Sequence, residues 1–306
     1  MSTTATETTT LGFVGLGAMG YPMSGHLRSR CKRLIVWNRT RTVSERHRNE
    51  FESIVMKCPS ELAKENPDVI FFCLPTSDVV RSVVEDMKDF IRPGTVLVDC
   101  TSGDPAITKK ISDELESKGI VLIDAPVSGG PRGAKAGTLT VMMGGPEKAV
   151  RSIRELILSS FGKAATRVGN VGSGHATKSL NNALNVTQLC MASEGLLRLR
   201  EKYGVEPGRA LEMINKSSGR SLQTQERIPG EVLTQKFSYG FKIGLMLKDV
   251  RIAKTVSDNS VYFQRTEKLL EIAVERFGAD ADYTAVVKVL RNASGVTLSE
   301  TATLER

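Results

Sequence analysis

The sequence is poor in aromatic side chains, has no paired-cysteine motif, holds three histidines and contains no long apolar run. One Trp, five Tyr and ten Phe make 5% of 306 residues, too few to build the stacking platforms that single-stranded nucleic acid requires. The five cysteines (Cys31, Cys58, Cys73, Cys100 and Cys190) are odd in number, widely spaced and never two residues apart. That excludes a zinc ribbon and a disulfide framework, so no metal site is expected, and a reducing compartment, the cytoplasm, is. The longest apolar run, Val69–Leu74, is strand-sized, whereas a membrane span needs about 20 residues. The first ten residues are rich in Ser and Thr, contain Glu7 and have no Arg, unlike a mitochondrial transit peptide. A loose tail over 1–10 is therefore expected, and another over 294–306.

What is present is charge. The formal net charge is +8 and the isoelectric point about 9.3. The basic residues do not form a block; along Lys109–Lys118 they alternate with acids. This favours a solvated, mildly basic surface over a nucleic-acid patch, and it suits a small anionic ligand. The expected partners are a small anionic substrate and a homodimer or homotetramer, with neither nucleic acid nor membrane.

Short apolar runs alternate with helical patterns through the first half. Leu11–Leu16, Leu34–Trp37, Val69–Leu74, Val96–Val98, Ile120–Ile123, Leu139–Met143 and Ala165–Val168 read as strands. Amphipathic segments such as Pro22–Ser29, Asp78–Phe90, Pro105–Lys118 and Glu147–Ser159 separate them. Such alternation predicts an α/β fold, a doubly wound parallel sheet of the Rossmann kind over 11–171. After the glycines of Gly169–Gly174 the strand signals stop. A long periodic stretch from His175 to Lys202 follows, then Pro207–Lys216, Gly244–Asp258, Tyr262–Phe277 and Tyr283–Asn292. An all-α second domain over 172–293 is expected.

Gly15-Leu16-Gly17-Ala18-Met19-Gly20 is a G-x-G-x-x-G, and its context gives it weight. A strand leads in and a helical pattern leads out, as a dinucleotide pyrophosphate requires. Where an NAD site usually has an acid after the second strand, this chain has Asn38-Arg39-Thr40. A carboxylate would repel a 2′-phosphate; Arg39 and the Thr40 hydroxyl would bind one. NADP is therefore expected over NAD.

Two further stretches carry chemistry. Asp124-Ala125-Pro126-Val127-Ser128-Gly129-Gly130-Pro131 ends a strand in a hydroxyl and two glycines. Such a loop can hold a carboxylate, and composition alone reads it equally well as a turn. Gly172-Ser173-Gly174-His175-Ala176-Thr177-Lys178-Ser179-Leu180-Asn181-Asn182 opens the long helix and puts Lys178 and Asn182 on one face. A desolvated lysine can exchange a proton with a substrate hydroxyl; spacing alone would leave Lys178 a solvated surface residue.

Taken in order, the glycine fingerprint, the Asp-x-Pro-Val-Ser-Gly-Gly stretch, the Gly-x-Gly-x-x-x-Lys-x-x-x-Asn stretch and Lys248-Asp249 resemble the β-hydroxyacid dehydrogenases. That family includes the 3-hydroxyisobutyrate dehydrogenases and, more distantly, 6-phosphogluconate dehydrogenase. The resemblance runs from about Leu11 to Leu290. It implies that Lys178 is the catalytic lysine with Asn182 its hydrogen-bonding partner, and that Ser128, Gly129 and Gly130 hold the substrate carboxylate. It also implies cofactor contacts for Leu74-Pro75, for Ser102 in a swapped Ser/Thr pair, and for Lys248, with Asp249 serving structure. His175 stands where relatives often have Gln or Asn and reads as helix-start packing. A non-catalytic dinucleotide-binding module is the rival reading, and the presence of Lys178 argues against it. A 6-phosphogluconate enzyme would normally be longer and carry more basic residues. No tyrosine has Lys four residues on, which excludes the Tyr-x-x-x-Lys of short-chain dehydrogenases.

Overall fold

The computed structural model describes residues 9–290. The tail reading over 1–10, except its last two residues, and the whole of that over 294–306 lie outside the described residues, as do the last two residues of the Tyr283–Asn292 reading. Two compact units divide the chain, Met1–Lys178 and Ser179–Arg306.

The first unit is a nine-stranded sheet with helices between the strands. Its parallel part comprises β1 (Thr10–Val14), β2 (Arg33–Trp37), β3 (Ile54–Val55), β4 (Val69–Phe72), β5 (Val96–Asp99) and β6 (Val121–Asp124), in the spatial order β3-β2-β1-β4-β5-β6. The order reverses between β1 and β4, and doubly wound folds bind ligands in the crevice at such a point. The sequence Val69-Ile70-Phe71-Phe72 is apolar at every position because β4 is central and buried on both faces. Alternate residues feed two cores. Phe13 and Phe71 stack at 5.9 Å on one side, while Val14, Ile70 and Phe72 pack on the other.

Four helices each follow a parallel strand, α1 (Gly20–Leu27) after β1, α2 (Arg41–Phe51) after β2, α4 (Ser77–Met87) after β4 and α5 (Pro105–Glu116) after β5, with α3 (Pro59–Lys64) between β3 and β4. Thr76 caps α4 through Val79 N–H, and Val80, Val83, Val84 and Met87 form its buried stripe. Asp104 caps α5, with Pro105 at the first helical position.

Beyond β6 the sheet turns antiparallel. β7 (Val127–Ser128) and β6 pair with β8 (Leu139–Gly144) in one continuous register, broken at Ala125-Pro126. β9 (Gly162–Gly169) then runs parallel to β8. Helix α6 (Gly130–Ala136) follows β7, and α7 (Glu147–Leu158) joins β8 to β9.

Several elements differ from the sequence reading. The first strand begins at Thr10, whose N–H donates to Asp68, one residue inside the expected tail. Helix α2 gives no apolar signal because the residues it buries are Ser44 and His47. Helix α6 forms in spite of Gly130, Pro131 and Gly133, and β3 and β7 are two residues each.

Helix α8 (Ser173–Tyr203) is a single 31-residue element that runs from the first unit into the second. The second unit holds no strand among the described residues. It comprises α9 (Pro207–Asn215), a π-helix (Gln223–Leu233), α10 (Ile243–Val256), α11 (Val261–Phe277) and a 3₁₀-helix (Tyr283–Leu290). Its separate core gathers Leu189, Leu211, Ile228, Ile243, Val250, Leu270 and Tyr283. The π-helix contains Pro229.

Candidate active site

The glycine fingerprint forms the turn from β1 into α1, and its three glycines are there for three reasons. Gly15 has φ +98°, and a Cβ on it would stand 2.4 Å from the carbonyl oxygen of Cys73. On Gly20 a Cβ would stand 2.0 Å from the Gly15 carbonyl oxygen, so helix and strand would be forced apart. Gly17 is exposed and a Cβ there would meet nothing within 4 Å. The protein itself does not require that glycine; a pyrophosphate resting on the turn does. Helix α1 also has no side-chain cap and no acid in its first turn, which leaves its positive end to an anion. The turn fits a dinucleotide.

At the end of β2, Asn38 fastens this turn: its Oδ1 accepts from Leu16 N–H at 2.9 Å and its Nδ2 donates to the Thr40 carbonyl. Arg39 and Thr40 are exposed beside it, and the first turn of α2 contains no acid. Arg41 pairs with Glu45 on its own helix, at 2.9 Å. Leu74 lies against the same turn, its Cδ2 2.9 Å from the position of a Gly15 Cβ, while Pro75 is exposed. Leu74 N–H donates to Thr101 Oγ1 at 3.1 Å. The buried hydroxyl of the Thr101-Ser102 pair thus ties two loops together, and half-buried Ser102 stands beside it. The sequence reading did not assign Thr101 a role; only the spatial neighbourhood of β4 and β5 reveals it.

The shared register of β6 and β7 on β8 carries Ser128 four residues past the end of β6 on the same line. Gly129 and Gly130 follow with φ +137° and +63°, conformations open to glycine. Ser128, Gly129 and Gly130, at the end of β7 and the start of α6, and Ala18, Met19, Leu74 and Ser102, in the turns after β1, β4 and β5, therefore all follow the ends of strands of one sheet.

Lys178 belongs to the second turn of α8 and is 9% exposed, an unusual setting for an ammonium. The first turn of this helix is held by a residue the sequence reading passed over. Asp124, buried at the end of β6, accepts from Gly172 N–H at 2.7 Å and from His175 N–H at 2.8 Å.

In the second unit Asn182 and Lys248 meet on one carboxylate. Asp249, fully buried, accepts from Asn182 Nδ2 at 2.6 Å and from Lys248 Nζ at 2.8 Å. Asn182 and Asp249 lie 67 positions apart in the chain, so spacing could not pair them. No group of His, Cys, Asp or Glu among the described residues could hold a metal ion, and the five cysteines are free.

Comparison with known proteins covers both units. Residues 10–171 match the family model described as the NAD binding domain of 6-phosphogluconate dehydrogenase. Residues 172–290 match that described as NAD-binding of NADP-dependent 3-hydroxyisobutyrate dehydrogenase. The 2-(hydroxymethyl)glutarate dehydrogenase of Eubacterium barkeri is 32% identical over 304 residues, 94% of this chain and 97% of its own. Human mitochondrial 3-hydroxyisobutyrate dehydrogenase is 33% identical over 255 residues, 80% of this chain and 75% of its own. Among solved structures, 3-hydroxyisobutyrate dehydrogenase of Mycobacterium tuberculosis with L-serine superposes with a TM-score of 0.84 at 29% identity, covering 93% of this chain and all of its own.

Proposed function

The chain belongs to the β-hydroxyacid dehydrogenase family, and from that premise we propose that it moves hydride between NADP(H) and a small 3-hydroxy acid or its semialdehyde. An oxidoreductase acting on CH–OH with a nicotinamide dinucleotide is the coarser statement the relatives already carry. The observation that carries the proposal is Lys178, a buried lysine near the start of a helix whose first turn is fastened to the sheet edge.

The bound nicotinamide supplies the hydride acceptor or donor. Gly17 and the uncapped start of α1 receive the pyrophosphate, while Arg39 and Thr40 receive a 2′-phosphate. Leu74, Pro75, Ser102 and Lys248 complete the cofactor contacts. Ser128 and the backbone of Gly129 and Gly130 hold the substrate carboxylate. In oxidation the neutral amine of Lys178 takes the proton of the substrate hydroxyl and becomes the ammonium; in reduction the ammonium gives that proton to the alkoxide. A cation beside that oxygen also lowers the cost of its developing charge. Asn182 orients the lysine or the hydroxyl, and is itself held by Asp249.

Two expectations belong to the same proposal. Free, unpaired cysteines favour a cytoplasmic enzyme, although several relatives are mitochondrial by name. No described helix is long and apolar enough to cross a membrane. A homodimer or homotetramer is proposed by family resemblance.

The test is a panel of 3-hydroxyisobutyrate, glycerate, serine, threonate, 4-hydroxybutyrate, 2-(hydroxymethyl)glutarate and the matching aldehydes, each with NADP and with NAD. The expected result is turnover of at least one 3-hydroxy acid, with kcat/KM at least about tenfold higher for NADP, the order of one charge-assisted contact. Equal rates or a preference for NAD would overturn the role of Arg39, and turnover of none would overturn the substrate class.

A further inference from the structure

The first turn of α8 is held by an arrangement that the proposed chemistry does not itself require. A helix start leaves N–H groups without intrahelical acceptors, and a cap normally comes from the residue just before it. Here the cap comes from Asp124, 51 residues upstream on β6. Its two oxygens take one N–H each, from Gly172 and His175, so the turn is gripped at both ends.

The imidazole of His175 forms a second hold. Its Nδ1 lies 2.8 Å from Thr108 Oγ1 on α5, and its Nε2 lies 3.8 Å from Asp99 Oδ2 at the end of β5. Both residues and the imidazole are buried.

Three glycines clear the space for these two side chains. A Cβ on Gly144 would stand 2.4 Å from Asp124 Oδ1, and one on Gly174 would stand 2.8 Å from Asp124 Oδ2. A Cβ on Gly103 would stand 2.6 Å from His175 Cε1. None of the three has a positive φ, so room is what glycine supplies there, for these two side chains and also for the carbonyls of Met142 and Asn170 and the Ser77 hydroxyl.

We propose that Asp124 and His175 are positioning residues for Lys178. The inference rests on the reading of Lys178 as the acid–base group. A helix is stiff, and each residue advances 1.5 Å and about 100° around its axis. Fixing the N–H of His175 therefore fixes the direction in which Lys178, three residues on, leaves the helix. If the hold slips by a single residue, the lysine turns by about 100°, and its ammonium moves by several ångströms. A misplacement of about 1 Å can cost 100-fold in rate. A cap that served only stability would instead lower the melting temperature and leave turnover alone.

The experiment compares wild type with His175→Leu, His175→Asn, Lys178→Ala and the double variant His175→Leu/Lys178→Ala. For each, kcat, KM, the dissociation constant for NADP and the melting temperature are measured. His175→Leu is expected to lower kcat by about 30- to 100-fold, with NADP affinity within about threefold of wild type. His175→Asn keeps an amide close to the position of Nδ1 and is expected to recover to within about fivefold of wild type. In the Lys178→Ala background, His175→Leu should cost less than about twofold more, since the residue through which it acts is gone. A full further loss in that background would overturn the proposal, as would His175→Leu turning over within threefold of wild type. Lys178→Ala alone keeping its rate would overturn the acid–base reading, and the positioning role with it; that failure is read from the single variant and is not mistaken for the other. If His175→Leu does not fold, Thr108→Val removes the same contact, and it should lower kcat at least about fivefold with NADP affinity kept. An unchanged kcat there would sink the idea equally.

Discussion

The turn after β1 and the start of α8 both depend on glycine, for opposite purposes. At the turn, Gly17 leaves a space that no atom of the described residues fills. At the helix start, Gly144, Gly174 and Gly103 leave spaces that Asp124 and His175 fill. Gly17, inside the phosphate-binding turn, keeps its open side for a ligand, whereas the crowded glycines at the helix start make room for the protein itself. The first region is a receptor made of backbone. The second is a mount that aims one side chain.

The two buried histidines of the first unit make the same contrast. His47 has a serine hydroxyl on each ring nitrogen, Ser24 Oγ at 2.7 Å and Ser53 Oγ at 2.8 Å, and burial pushes its pKa down to about 4. It is a satisfied core residue between α1 and α2. His175 has Thr108 on one nitrogen and no hydrogen-bond partner on the other.

Replacing glycines separates the two purposes. The largest effect should come from Gly20→Ala. Its Cβ would collide with the Gly15 carbonyl, so soluble protein should fall sharply and any that remains should melt many degrees lower by circular dichroism. Gly17→Ala should melt within a few degrees of wild type yet bind NADP about 30-fold more weakly by calorimetry, because the added methyl occupies the ligand's space alone. A large loss of stability there would erase the distinction.

The smallest effect belongs to His47. With its folded pKa near 4 against an unfolded value near 6.5, only the unfolded chain takes up this proton between those pH values. Stability should therefore fall as pH drops from about 6.5 to 4 and gain no further slope from this group below that. His47→Gln should flatten that limb of the melting-temperature profile, and an unchanged limb would contradict the reading.

These contrasts also explain what the sequence could reveal. The glycine fingerprint was legible because a backbone site is written in consecutive residues, whereas the Ser128-Gly129-Gly130 loop read equally well as a turn until the family resemblance gave it a role. The sheet was legible where strands are buried on both faces, as in Val69–Phe72. Helix α2 was not, because it buries Ser44 and His47 where a pattern search looks for apolar residues. Asp124 was quoted only as the end of a strand, since its partners lie 48 and 51 residues away. Asp249 was set aside as structural; it is the carboxylate that joins Asn182 to Lys248. Side-chain networks assembled by topology leave no periodic trace in the chain.

The proposed chemistry turns on Lys178 exchanging the proton of the substrate hydroxyl. The direct measurement is turnover of the best substrate by Lys178→Ala, alongside its affinity for NADP. Turnover should fall by about 10²- to 10⁴-fold, the usual worth of a positioned acid–base group, while NADP still binds within a fewfold of wild type. A variant that binds the cofactor and turns over within a fewfold of wild type would contradict it.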